Sequence, residues 1–338
     1  MRNIILLMLA MTLIATEAKA QENELRLQAE TRIDYSGEFL KSDDSNGKAS
    51  FNGRYLNVIL SGTIGDKFSY AYRQRLNKAH ADQSFFDATD WIYLTYAPNA
   101  RWQFSAGKQV VAIGGYEYDR APIDLYFCSE FWNNIACYQF GVSAAYATES
   151  GNDKFLLQVC QSPFRANGDN MYAYNLMWMG SHDWYQSLWS VNLMEQTPGD
   201  QIAYVALGNQ FTFGDFKLQL DYMLRASNGD SLFKNYSVMG EASYTLADKV
   251  NFFGRMTYDV NSTSGSVNDF SVMPDTELTR FGAGVEYYPL PNNNRAVRLH
   301  AAYSRNGNPN GVLQDGQSMF TVGLKWKIDI LSIAKKLF

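Results

Sequence analysis

Segments in which apolar and polar side chains strictly alternate recur along most of this chain. Comparable alternation covers residues 25–35, 250–259 and 320–327, and it is clearest where Phe216, Leu218, Leu220, Tyr222 and Leu224 alternate with Lys217, Gln219, Asp221, Met223 and Arg225. Because successive side chains of a β-strand point to opposite faces, each segment predicts a strand with one apolar and one polar face. Their length of about ten residues suits a tilted strand that crosses a bilayer, whereas strands of soluble sandwiches are usually nearer five or six residues.

Short turn signals divide these segments at a nearly regular spacing of roughly 33 residues. They stand at seven points: Gly65-Asp66, Pro98-Asn99, 151–153, 181–183, Gly214-Asp215, Ala247-Asp248 and 292–294. Longer polar stretches lie between them, at 41–50, 77–87, 162–170, 227–231, 261–274 and 305–317. Seven short turns separate eight hairpins, so the pattern predicts about sixteen antiparallel strands, with fourteen and eighteen as the alternatives.

The composition indicates a barrel in a membrane. Hydrophobic residues make up 46% of the chain and aromatic residues 15%, yet the mean hydropathy is −0.29. A membrane barrel reconciles these values, since its aromatic side chains face lipid while its interior stays polar. An open sheet would leave unpaired backbone groups in lipid, so the sheet must close. We therefore predict an all-β fold, a transmembrane antiparallel β-barrel whose lumen is wide enough for water.

The amino end predicts export. Arg2 precedes a short apolar run at 4–14, and Ala18-Lys19-Ala20 forms a cleavage site of the small-x-small type. The apolar run is too short to cross the bilayer as a helix. We expect a signal peptide over residues 1–20 that is cleaved after Ala20, a barrel over residues 21–338, and a location in the bacterial outer membrane.

The third long connection, at about residues 109–136, is the longest in the chain and is rich in aromatic side chains. Exposed aromatic side chains would be costly, so we predict that this third loop folds inward and forms a constriction. It carries Glu117, Asp119, Arg120 and Asp124, whose acids would face bases on the polar strand faces. The expected wall bases are Arg73, Arg75, Lys217, Arg225, Arg255 and Arg298. The alternative is that the loop covers the barrel mouth or contacts a neighbouring subunit.

One stretch carries a family resemblance. The sequence WQFSAGKQ at 102–109 leads into a loop that begins VVAIGGYEYDR, in a chain of about sixteen strands that ends in Phe338. This resembles the phosphate-selective porin O and P family of Bacteroidota-type outer membranes. The resemblance implies a trimeric channel for phosphate and related anions with basic residues in the pore. A terminal Phe implies recruitment of the barrel-assembly machinery, and outer-membrane lipid and lipopolysaccharide would surround the barrel.

The charges on the polar faces favour the same kind of function. Those faces carry about twice as many bases as acids, and basic rings in a pore favour anions. The alternative is that these charges pair with one another. We predict a water-filled porin for passive diffusion of small hydrophilic solutes, moderately favouring anions. A substrate-specific channel for phosphate or oligosaccharide and a plugged structural or adhesive barrel are the other hypotheses. No basic patch suggests nucleic acid.

The chain carries little that suggests catalysis. Its only imidazoles are His80, His182 and His300, and it has neither a nucleophile elbow nor a zinc-binding motif. We expect no enzyme activity, no cofactor and no metal.

Three cysteines follow the predicted cleavage site. Cys128 and Cys137 lie nine residues apart within the third loop, and an exported protein meets an oxidising compartment. We predict a Cys128–Cys137 disulfide, and the alternative pairs Cys137 with Cys160.

Overall fold

The computed structural model describes residues 24–39, 49–78, 84–165, 170–227, 229–264, 267–292, 295–308 and 315–331. The predicted signal peptide and Phe338 lie outside these ranges. Among the helices within them, none is both long and apolar enough to cross a bilayer.

Within the described residues, sixteen antiparallel strands form one closed barrel, in which each strand pairs with its neighbours in the chain and β1 pairs with β16. The strands are β1 Leu25–Phe39, β2 Ala49–Ile64, β3 Phe68–Arg75, β4 Thr89–Tyr96, β5 Trp102–Val110, β6 Tyr138–Ala147, β7 Asp153–Gln161, β8 Tyr172–His182, β9 Tyr185–Thr197, β10 Asp200–Phe213, β11 Phe216–Ser227, β12 Asn235–Leu246, β13 Val250–Asn261, β14 Thr276–Tyr287, β15 Val297–Gly307 and β16 Ser318–Asp329. The predicted fold class and strand number are confirmed.

All seven predicted short turns fall at or between strand ends, and one connection on the opposite side was not predicted. The β9–β10 connection consists only of Pro198 and Gly199, and the positive φ of Gly199, 82°, suits a tight turn. Glu195 and Asp200, on either side of this turn, are strand residues. The end of the barrel with the seven turns is called the short-turn end, and the other is called the long-loop end.

The burial of the strands is the reverse of that in a soluble protein. On β1, Glu30, Arg32 and Asp34 are nearly inaccessible, whereas Ile33 and Tyr35, which alternate with them, are about 40% exposed. The polar face is thus turned inward and the apolar face outward, as in a barrel that is surrounded by lipid. The alternation predicted from the sequence is confirmed on this strand.

The third loop occupies residues 111–137, close to the predicted 109–136. It contains two short helices, α1 Tyr116–Asp119 and α2 Glu130–Asn134, and a 3₁₀ turn at Pro122–Asp124. The main hydrophobic cluster of the described residues joins this loop to inward-facing side chains of β7–β11. It contains Val111, Ile113, Tyr118, Phe131 and Ile135 from the loop and, among others, Met194, Ile202, Tyr204 and Met223 from the wall.

Candidate functional site in the third loop and the polar wall

The third loop begins in backbone contact with β9. Gly115 donates its N–H to the carbonyl of Leu188 at 3.0 Å, and Gly114 donates to Ser190 Oγ at 2.8 Å. A Cβ on Gly208 of β10 would lie 2.7 Å from the Cα of Gly115, and Gly115 itself has a φ of 104°. Only glycine fits this approach without displacing the loop. The glycines therefore fix the point at which the loop leaves the wall.

Wall carboxylates hold the starts of both short helices. Asp221 of β11 accepts hydrogen bonds from the N–H groups of Tyr116 and Glu117, at 2.9 and 2.7 Å. Asp259 of β13 accepts one from the N–H of Glu130 at 2.9 Å. These carboxylates satisfy backbone donors that a helix start leaves without partners. The alternating pattern placed both acids on the polar face, but it gave no sign that they bind the loop.

A chain of ion pairs links the middle of the loop to β12 and β13. Arg120 makes a bidentate contact with Glu241, with N–O distances of 2.9 and 2.7 Å. Arg255 Nε lies 2.7 Å from the same carboxylate, and Arg255 Nη1 lies 3.5 Å from Glu117. The predicted site residues Glu117, Arg120 and Arg255 are thus brought together. They meet at Glu241, which the site prediction omitted.

A second set of charges meets at Asp124. Its carboxylate lies 2.7 Å from Arg298 Nη1 and 2.5 Å from Lys325 Nζ, and Arg298 also lies 3.2 Å from Glu286. Burial acts to raise the pKa of Asp124, but Arg298 and Lys325 outweigh it and hold the pKa below its usual value. Asp124 is therefore ionised at neutral pH.

The far end of the loop rests on β1 and β14. Arg32 donates to the carbonyls of Leu125 and Ile123, at 2.6 and 3.1 Å, and its guanidinium lies 4.7 Å from the centre of the Tyr126 ring. Arg280 donates to the carbonyl of Cys128. These two arginines lie on the polar faces, but the site prediction did not include them. Side chains or backbone atoms of nine strands form hydrogen bonds or ion pairs with the loop, namely β1, β7, β9 and β11–β16.

Three of the predicted wall bases do not pair with acids of the third loop. Arg73 and Arg75 of β3 pair instead with Asp90 of β4, at 2.7 and 2.8 Å. Arg225 of β11 pairs at 2.6 Å with Asp269, which lies in the β13–β14 connection. The expectation that loop acids face these arginines was wrong, because nearer acids occupy them.

The remaining predicted site residues are Asp119 and Lys217. Asp119 ends α1 and is exposed. Within the described ranges no carboxylate lies within 4 Å of Lys217, which lines the first of the two cavities described next.

Two polar cavities lie on either side of the third loop. One, of about 510 Å³, reaches the short-turn end, and its lining has equal numbers of bases and acids. The bases are Arg120, Lys217, Arg295, Arg298 and Lys325, and the acids are Asp124, Asp215, Glu241, Asp248 and Glu286. The other, of about 590 Å³, lies at the long-loop end. Its bases are Arg75, Lys78, Lys108 and Arg165, against the single acid Asp87. Of these bases, Arg75 is paired with Asp90, and Lys108 lies on the same outward face of β5 as Phe104.

Comparisons with known proteins agree with this geometry. Residues 25–183 match the family model of the phosphate-selective porins O and P. The resemblance predicted from the sequence is confirmed over these residues. No curated protein matches the chain.

Solved structures match nearly the whole barrel. An anion-selective porin from Comamonas acidovorans is 11% identical, with a TM-score of 0.64, and the match covers 91% of this chain and 100% of that one. The outer membrane channel DcaP of Acinetobacter baumannii is 13% identical, with a TM-score of 0.64 and coverages of 92% and 98%. The trimer form of OmpT of Vibrio cholerae is 14% identical, with a TM-score of 0.57 and coverages of 90% and 99%. This chain has the fold of an outer-membrane porin.

The three cysteines are all free thiols, so the predicted Cys128–Cys137 disulfide is absent from the structure, as is the Cys137–Cys160 alternative. Cys128 Sγ donates to Asn133 Oδ1 at 3.0 Å, and Cys137 Sγ lies 3.8 Å from the carbonyl of Ile135. Burial raises the pKa of both thiols, that of Cys137 to about 11. Since the thiolate is the reactive form, these surroundings disfavour oxidation.

The histidines have structural partners. His300 Nε2 lies 2.9 Å from Asp34 Oδ1 in the buried wall, and His182 Nε2 lies 3.0 Å from Asp153 at the short-turn end. His80 lies outside the described residues. Among the described residues no group of three or more His, Cys, Asp or Glu side chains could hold a metal ion.

Proposed function

We propose that the chain forms a water-filled channel in the bacterial outer membrane, through which small hydrophilic solutes diffuse passively. The observation that carries this proposal is the closed ring of sixteen strands with a polar buried face and an apolar exposed face. In this proposal residues 1–20 direct export, Phe338 recruits the barrel-assembly machinery, and lipid and lipopolysaccharide surround the apolar face. The chain acts without catalysis or a cofactor.

We place the third loop inside the lumen, where it narrows the passage. Gly115 contacts β9, whereas the carbonyls of Ile123 and Leu125 bind Arg32 of β1. Strands β1 and β9 are eight positions apart in a ring of sixteen, so they lie on opposite sides of the barrel. A segment that touches both sides must cross the lumen. The solute path then runs from the cavity at the long-loop end, past the loop, to the cavity at the short-turn end.

We further propose a moderate preference for anions. The basic side chains that line the cavity at the long-loop end support it, as do the description of the matched family and the similarity to the anion-selective porin from Comamonas acidovorans. Most charges beside the third loop are paired, so the constriction itself adds little net charge. The trimer form of OmpT supports a homotrimer for this chain as well.

A plugged barrel is the second candidate, since the loop binds nine strands and crosses the lumen.

Recordings from planar bilayers separate the candidates. A porin gives stable open conductance steps, and a trimer gives them in groups of three. In a salt gradient its reversal potential has the sign expected when anions permeate better than cations. A channel specific for one solute shows a current that saturates with that solute. Inserted protein that conducts nothing would overturn the porin proposal in favour of the plug.

Asp124→Asn should shift the ion preference further toward anions. The change removes one acid from the balanced cavity and leaves Lys325 without a carboxylate partner. We expect the anion-to-cation permeability ratio to rise by roughly fivefold, because an unbalanced charge a few ångströms from a permeating ion is worth about 1 kcal/mol in water. Reversal potentials in a salt gradient measure this ratio. Asp119→Asn is the matched control, since Asp119 does not line that cavity, and an equal shift in both variants would contradict the assignment.

A further inference from the structure

Lys108 lies on the outward face of the barrel, two residues before the long-loop end of β5. Alternation along the strand places it in one outward series with Phe104 and Val110, which are 44% and 42% exposed. Its ladder partner on β4 is Ile92, another exposed apolar residue. A charge on the lipid face is costly at the membrane midplane and much less costly near the surface. The ammonium group of Lys108 must therefore find polar partners at the membrane surface.

The β3–β4 connection provides one such partner, because it packs against the outside of the wall. The carbonyl of Phe86 accepts a hydrogen bond from Lys108 Nζ at 2.6 Å, and the Phe86 ring lies 5.3 Å from that of Phe140, the outward ladder partner of Lys108 on β6. Lys78 Nζ donates to the carbonyl of the next residue, Asp87, at 3.1 Å. Since the two ammonium groups bind adjacent carbonyls, they lie close together at the outer rim of the barrel.

The rim at this point is basic. In the part of the chain that the structure describes, no carboxylate lies within 4 Å of Lys78 Nζ or Lys108 Nζ. The carboxylate of the neighbouring Asp87 is turned to its own backbone, where it accepts the N–H of Ser84 at 2.8 Å. Arg165 lines the same cavity as the two lysines. Clustered bases at a membrane surface attract anionic lipid headgroups, and the long-loop end of a bacterial barrel faces the outer leaflet.

An apolar groove continues from Lys108 toward the middle of the membrane. It has a volume of about 470 Å³ and lies across the outward faces of β4–β7. The small side chains of Ala106 and Ala144 leave this space between bulkier neighbours such as Phe104 and Leu157. Ala106 is the outward residue that precedes Lys108 on β5, so the groove leads directly to the basic rim. Water is absent at this depth of a membrane, so an apolar group must fill the groove.

We propose that this outward face binds a phosphorylated lipid of the outer leaflet, the lipid anchor of lipopolysaccharide. Its phosphate lies between Lys78 and Lys108, and one of its acyl chains lies in the groove along Ala106 and Ala144. A single lipid molecule supplies both the anion and the apolar chain, whereas a neighbouring subunit would have to place an acid at the end of an apolar patch. This inference rests on the proposed location in the outer membrane and leaves the lumen free.

Lipid binding to the purified full-length barrel in detergent micelles tests the proposal. Lipid A and dephosphorylated lipid A are titrated separately, and native mass spectrometry measures the bound fraction. We expect lipid A to bind at least about tenfold more tightly than the dephosphorylated form, because two bases attract its phosphate. Inorganic phosphate at the same concentration should not displace lipid A, since it has no acyl chain to bury. Equal binding of the two lipids, or displacement by inorganic phosphate, would overturn the proposal.

Variants of the bases locate the phosphate. Lys78→Gln with Lys108→Gln should weaken the binding of lipid A at least about tenfold and leave that of the dephosphorylated lipid unchanged. The matched control is Lys234→Gln with Arg305→Gln, which removes the same charge from exposed residues at the long-loop end, away from the groove. Equal weakening in the two double variants would show that the attraction is not specific to this site, and would overturn the proposal.

Ala106→Leu with Ala144→Leu tests the groove and keeps both lysines. Filling the groove should weaken the binding of both lipids severalfold, and this variant decides if the lysine variant does not fold. Unchanged lipid binding, together with loss of the oligomer, would assign the groove to a subunit interface and overturn the proposal. Conductance in planar bilayers tests the channel separately. A conducting barrel that does not distinguish the two lipids overturns only the lipid site, whereas a barrel that distinguishes them and never conducts overturns only the channel.

Discussion

Replacing residues 116–127 with a short Gly/Ser linker should raise the single-channel conductance severalfold. These residues include α1 and the carbonyls that bind Arg32, so their removal breaks the crossing between β9 and β1. The barrel should still form, because the deletion leaves all sixteen strands and their ladders intact. The wall acids and bases that lose loop partners would then face water in a wider lumen, where an unpaired charge costs little. Conductance in planar bilayers measures the change.

The control removes a different connection. Residues 230–233 lie between β11 and β12, and Phe233 at their end is largely exposed. Their deletion should leave the conductance close to that of the unmodified chain. Equal conductance in the two deletion variants and the unmodified chain would show that the third loop is not the constriction.

The strands could be predicted because their signals are local. A period of two and a length near ten residues follow from strand geometry and bilayer thickness, and both can be seen in segments such as 216–225. The β9–β10 connection was not among the predicted turns, although Pro198-Gly199 stands in a polar run at 195–201. The dipeptide is itself a strong turn signal, so it could have identified a tight turn between two long strands.

The partners of the charged side chains could not be predicted in the same way. Alternation gives the face of a strand, but the partner depends on register and on which connection folds over the wall. Arg73 and Arg75 were expected to face the third loop, and instead they share Asp90 one strand away. Reversing both arginines to Glu would place like charges beside Asp90, so that variant would disturb the wall before it reported on selectivity.

Arg225→Gln should destabilise the barrel by about 3–5 kcal/mol, because it leaves the carboxylate of Asp269 buried without a cation. Arg225 is wholly inaccessible, and its guanidinium donates to Asp269 at 2.6 Å, to Ser237 Oγ at 2.6 Å and to the carbonyl of Val260 at 2.7 Å. Unfolding by denaturant in detergent micelles or lipid vesicles measures the loss.

Arg101→Gln is the control for this variant. Arg101 also pairs with an acid, Glu149, at 2.9 Å, but both side chains are exposed, so its loss should cost about 1 kcal/mol or less. The double variant Arg225→Gln with Asp269→Asn should recover part of the stability, since it removes the stranded charge as well. Asp269 Oδ1 also accepts hydrogen bonds from the N–H and Oγ of Ser271, whose carbonyl binds Asn134 of α2. Loss of Arg225 should therefore loosen the third loop and make the channel current noisier, whereas a quiet current with unchanged stability would show that this ion pair does not hold the loop.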